Sequence, residues 1–116
     1  MDLRQRTKSY AIRIVRLYRS LPPSSDAQVL GKQLLRSGTS VAANYRAACR
    51  ARSRAEFISK ISVVLEEAGE SAFWLELLGE TGVADPEKLA ALLRETNELT
   101  AIFGASLRTS KSGVNH

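Results

Sequence analysis

Three breaks divide this chain into four long stretches, and each stretch repeats apolar residues at three- and four-residue steps. That spacing places them on one face of a helix. In the first stretch, about Leu3 to Ser20, the inward face is Leu3, Thr7, Tyr10, Ile14, Leu17 and Leu21. Pro22-Pro23-Ser24-Ser25-Asp26 ends it and offers N-caps to the second. The second, about Ala27 to Ala51, turns Leu30, Leu34, Gly38, Val41, Tyr45 and Ala48 inward. Ser53-Arg54-Ala55-Glu56 then reads as a capping box, in which the Ser53 hydroxyl accepts from the Glu56 amide and the Glu56 carboxylate returns to the Ser53 amide.

The third stretch, about Arg54 to Leu78, has Phe57, Ile61, Val64, Leu65, Ala68, Ala72 and Leu75 inward, and Gly79-Glu80-Thr81-Gly82 stops it. Asp85-Pro86 supplies an N-cap followed by proline in the first turn. The fourth, about Pro86 to Arg108, buries Leu89, Leu92, Leu93, Leu99, Phe103 and Leu107. No stretch alternates as a half-buried strand does. Long amphipathic helices with short connections pack against antiparallel neighbours, so the expectation is an all-α, antiparallel up-down four-helix bundle over 1–109. Residues 110–116, small and polar, are expected to form a flexible tail.

Charge is distributed unequally. Residues 1–54 hold 12 Lys and Arg against 2 Asp and Glu, whereas residues 55–116 hold 5 against 10. A chain with one basic and one acidic half is suited to a polyanion or to another copy of itself. In the second stretch Lys32, Arg36, Arg46 and Arg50 fall within about 80° on the side opposite the core, with Thr39 and Ala43 between them. Arg52 and Arg54 cluster at the following turn, and Arg4, Lys8, Arg16 and Arg19 point away from the core of the first stretch. Cations in such rows can follow a phosphate backbone, or can be an ordinary solvated or ion-paired face. Lys32, Arg36, Arg46, Arg50, Arg52 and Arg54 are the candidate nucleic-acid contacts. Tyr10, Tyr18 and Tyr45 are the only aromatics in the basic half and two of them face the core, so base stacking and sequence-specific readout are not expected.

The third stretch carries the opposite surplus. Glu56, Glu66, Glu67 and Glu70 lie outward together with Val63, Trp74 and Leu77, and Phe73-Trp74-Leu75-Glu76-Leu77-Leu78 is apolar nearly all round. An exposed Trp and Leu patch rimmed by carboxylates reads as a subunit interface, with Ile12 and Val15 on the basic side as its complement. The candidate interface is Ile12, Val15, Val63, Glu67, Glu70, Trp74 and Leu77. The alternative is that Trp74 caps the core at the loop end. Two unlike patches meeting make a head-to-tail contact that can close into a ring.

Much familiar chemistry lacks its residues. The one histidine, His116, is terminal, so no Ser/His or Cys/His nucleophile and no zinc ligand set is expected. Glu67 and Glu70 have carboxylate spacing without the histidine of a di-metal bundle. No phosphate loop is present. The chain is therefore expected to be non-enzymatic, with no cofactor. No apolar run is long enough to span a membrane and the N-terminus lacks the apolar core of a signal peptide, so a cytoplasmic location is expected. Cys49, the only cysteine, is expected to be a small buried hydrophobe.

Ser37-Gly38-Thr39-Ser40-Val41-Ala42-Ala43-Asn44 is a poor run for a helix and lets a neighbour approach closely. Gln33 to Tyr45, followed by Arg50-Ala51-Arg52-Ser53-Arg54-Ala55-Glu56-Phe57, resembles the bacterial four helix bundle proteins, also called 23S rRNA-intervening-sequence proteins. The resemblance covers nearly the whole chain. It implies an up-down bundle assembling as a homopentamer, similar in fold to the accessory protein of diversity-generating retroelements, where a basic surface engages nucleic acid and a protein partner docks on the ring. It carries over Ser40, Asn44, Ser53, Glu56 and Phe57 as structural matches. The family's frequent Glu three residues after the Asn is Ala47 here. Three readings stay open: an oligomeric bundle binding RNA or DNA non-specifically, an interaction module whose basic and acidic faces serve its own assembly, and an accessory subunit for another protein docked on the ring.

Overall fold

A computed structural model describes residues 1–113. Four helices follow one another: α1 (Leu3–Ser20), α2 (Ser25–Cys49), α3 (Arg54–Glu80) and α4 (Pro86–Ser112). They run up, down, up and down in a rod 52 × 24 × 20 Å, and no described residue is in a strand. Each of α2, α3 and α4 packs along its predecessor, whereas α1 approaches α4 less closely and meets it through side chains, Tyr10 on Thr96 and Arg6 on Glu95 and Glu98.

The expected caps form, with variations. Asp2 Oδ1 accepts from the Gln5 amide at 2.9 Å and starts α1. Ser24 is the N-cap of α2 by backbone geometry but makes no side-chain cap bond. Asp26 accepts from the Ala27 amide instead. Ser53 Oγ accepts from the Glu56 amide at 3.0 Å, but Glu56 Oε2 reaches the Arg52 amide at 2.8 Å. The return arm of the box thus ties down the preceding turn. Asp85 caps α4 through the Glu87 amide, with Pro86 in the first turn. At its other end α4 passes the expected stop at Arg108 and runs to Ser112, because a usable C-cap arrives only at Gly113, whose φ of 70° is left-handed. The remainder of the expected tail, 114–116, lies outside the described residues, as does His116.

The core follows the apolar stripes: Tyr10, Ile14, Leu34, Val41, Ile61, Val64, Leu75, Leu99 and Phe103 are all buried. Gly38 has a packing role. A Cβ there would stand 2.8 and 2.9 Å from Ile14 Cγ1 and Cγ2, so α1 settles onto α2 through the missing side chain. Asn44 is half-buried and donates to the Ser40 carbonyl at 3.0 Å, a link internal to α2.

Five buried hydroxyls also occupy the interior: those of Thr7 and Tyr10 from α1, Ser37 from α2, Ser71 from α3 and Thr96 from α4. Tyr10 and Thr96 hydroxyl oxygens lie 2.6 Å apart, those of Ser37 and Ser71 lie 2.9 Å apart, and Ser71 also donates to the Glu67 carbonyl at 2.8 Å. Burial pushes the Tyr10 phenol above its ordinary range, against the effect of its bond to Thr96. Cys49, expected inside, is exposed. Ala48 takes the core position, and one residue further turns the side chain about 100° toward solvent.

Candidate functional site

A hairpin folded at residues 21–24 brings the start of α1 opposite the end of α2. There a groove of about 380 Å³ opens between the two helices. Arg4 and Lys8 line it from α1, and Arg46 and Arg50 from the α2 side. Thr7, Thr39, Ala42 and Ala43 complete its lining. Each cation pair is four residues apart, so each follows its helix axis with a step of about 6 Å. Among the described residues none of the four forms an ion pair. The groove threonines are already committed: Thr7 donates to the Leu3 carbonyl at 2.8 Å and Thr39 to the Leu35 carbonyl at 2.7 Å.

The candidate contacts read from the sequence separate into four places. Arg46 and Arg50 are in the groove, with Thr39 and Ala43 as the small-residue gap between the ends of the basic ridge. Lys32 is exposed further up α2 and does not line it. Arg36 turns to α3, where it meets Glu67 at 3.2 Å and Glu70 at 2.8 Å. The Glu67 hydrogen bond is the chief reason its guanidinium is held more firmly protonated than usual. Arg52 and Arg54 lie at the α2–α3 end of the rod, where the Arg54 guanidinium sits beside Gly113 at the close of α4.

Arg4 and Lys8 belong to the groove although the ridge on α2 did not include them. The signal was available, since an antiparallel hairpin must set Arg4 near Arg46 and Arg50. Arg6, between them in sequence, points the other way and bonds Glu95 at 2.8 Å and Glu98 at 2.9 Å on α4.

The candidate interface is also redistributed. Glu67 and Glu70 already have a partner in Arg36 within the subunit. Trp74 and Leu77, expected to be exposed, are half-buried, as are Val15 and Val63. Phe73 is the side chain that faces out, 53% exposed, and Ile12 is 42% exposed. The Phe73 ring meets Trp74 edge-on at 4.9 Å. The Trp74 Nε1 is buried and has no hydrogen-bond partner among the described residues. A one-residue rotation along α3 accounts for the exchange of Trp74 for Phe73, because α3 is apolar on both sides there.

Among the described residues no group of His, Cys, Asp and Glu could hold a metal ion. No described helix is long and apolar enough to cross a membrane.

Comparison with known proteins adds a lineage to this geometry. No curated protein matches the chain. A solved structure from Bacteroides thetaiotaomicron, described as a protein with unknown function from the S23 ribosomal protein family, superposes with a TM-score of 0.87 at 37% identity. The match covers 93% of this chain and 100% of that one. A family match spans residues 1–105, and the chain belongs to the 23S rRNA-intervening sequence protein family.

Proposed function

We propose that this protein is a non-enzymatic helical bundle that binds RNA or DNA, without sequence preference, through the basic groove between α1 and α2. One observation carries the reading: Arg4, Lys8, Arg46 and Arg50 converge on a single groove, and none of them is ion-paired with a carboxylate among the described residues. Four like charges brought together by two helices cost self-repulsion, and a polyanion relieves it while releasing counterions. The test is a titration of labelled oligonucleotide at low and moderate salt with the wild type and an Arg46→Glu/Arg50→Glu variant. The variant is expected to lose at least about tenfold in affinity at low salt, with unchanged helicity and mass. Equal binding by the two proteins overturns the proposal.

A second reading, self-association, is favoured by the exposed Phe73 beside a Trp74 whose buried indole N–H has no partner among the described residues. An apolar side chain of that size, covered by another copy, becomes an anchor of the contact. Phe73→Asp is expected to lower the native mass measured by light scattering. An unchanged mass removes Phe73 from any interface.

A further inference from the structure

We infer that the groove takes a single strand rather than a duplex, an inference that rests on the nucleic-acid reading above. The groove has two positive walls and a small-residue floor. Arg4 and Lys8 stand on one side and Arg46 and Arg50 on the other. Both walls rise from helices in close contact, since Gly38 admits Ile14 directly against the α2 backbone. A single phosphate chain laid between two such walls is contacted from both sides at once. A duplex offers its phosphates on a convex surface in two chains, separated by grooves about 6 or 12 Å wide, whereas a groove of about 380 Å³ has room for one chain at most.

The floor favours the same ligand. Ala42 and Ala43 have no polar side-chain atoms, and the Thr7 and Thr39 hydroxyl protons are given to their own helix. A sugar or the face of a base can rest there, but the floor donates nothing to a base edge. No aromatic side chain lines the groove, so affinity comes from charge and strand flexibility rather than stacking. Binding should therefore be strongly salt-dependent. Four neutralised phosphates on a single strand give a slope of about −3 for log K against log salt.

Two variants and four probes test this. The probes are a labelled oligouridylate, a single-stranded DNA, the blunt duplex formed by that DNA with its complement, and inorganic tripolyphosphate as competitor. The variants are Ala43→Leu and Arg46→Glu/Arg50→Glu. Ala43 is exposed on α2 and leucine is a good helix former, so the first variant fills the floor without changing charge or fold. The single strands are expected to bind about fivefold or more tighter than the duplex at equal salt. Ala43→Leu is expected to weaken the single strands while leaving the weaker duplex binding unchanged.

Equal or tighter duplex binding overturns the inference and leaves the nucleic-acid reading standing. So does full single-strand affinity in Ala43→Leu. Competition by tripolyphosphate at matched phosphate concentration overturns it as well, because the groove would then be a site for small anions. No binding of any oligonucleotide sinks both readings together.

Discussion

Arg36 and Arg46 share the outer stripe of α2, about 15 Å apart along its axis, yet they meet opposite company. Arg36 faces α3 and finds Glu67 and Glu70. Arg46 faces α1 and finds Arg4 and Lys8 across the groove. The same division separates Arg6, tied to Glu95 and Glu98 on α4, from its sequence neighbours Arg4 and Lys8. A basic helix face thus divides into answered and unanswered cations, and the neighbouring helix decides which is which. Answered cations belong to the stability of the bundle. Unanswered ones are available to a ligand.

The largest effect expected from this division is in binding. Arg46→Glu/Arg50→Glu should abolish most oligonucleotide affinity, whereas Arg36→Glu should bind within about twofold of the wild type while setting a third carboxylate beside Glu67 and Glu70. Comparable losses in both variants would erase the distinction. Next in size is stability at the α1–α4 seam. Arg6→Ala should cost about 1 kcal/mol in urea denaturation at neutral pH, while Arg4→Ala and Lys8→Ala each cost close to nothing.

That cost has a pH signature. The Arg6 hydrogen bond, outweighing burial, holds the Glu95 carboxyl below its usual range. Its contribution is complete above the unfolded carboxyl value, about 4.3, and is lost as pH falls through the folded value. The gap between wild type and Arg6→Ala should therefore narrow in acid, and a gap constant with pH would place Arg6 outside the ionic account. An effect of similar size is expected where α1 seats on α2. Gly38→Ala gains helix propensity but forces the branched, buried Ile14 aside, for a net loss of about 1 kcal/mol. A gain in melting temperature would show that α1 can lift off α2 without penalty.

The four helices and most of their buried faces were legible because heptad-like spacing and the breaks at Pro22-Pro23, Ser53 and Asp85-Pro86 are local signals. What escaped depends on neighbours. Ser37, Ser71 and Thr96 are buried as fully as the leucines, but a hydroxyl counts as polar until its partner on another helix is known. Arg36 could not be separated from Arg46 by phase alone, since both occupy the same stripe. Trp74 and Phe73 exchanged places because α3 is apolar on two sides, and a helix with little amphipathic contrast leaves its rotation unfixed.

The buried hydroxyls of Tyr10, Ser37, Ser71 and Thr96 carry a consequence for how the rod stays aligned. Leucines along a seam are interchangeable from one turn to the next, so an all-aliphatic interior tolerates slippage. Here Ser37, Ser71 and Thr96 also bond carbonyls of their own helices, but a one-turn slide of α1 against α4 would strand the Tyr10 phenol in a dry interior, at a cost of about 1–3 kcal/mol. The Tyr10–Thr96 bond therefore works as an index mark between α1 and α4, and together with Ile14 seated on Gly38 it keeps the two pairs of groove cations level with each other.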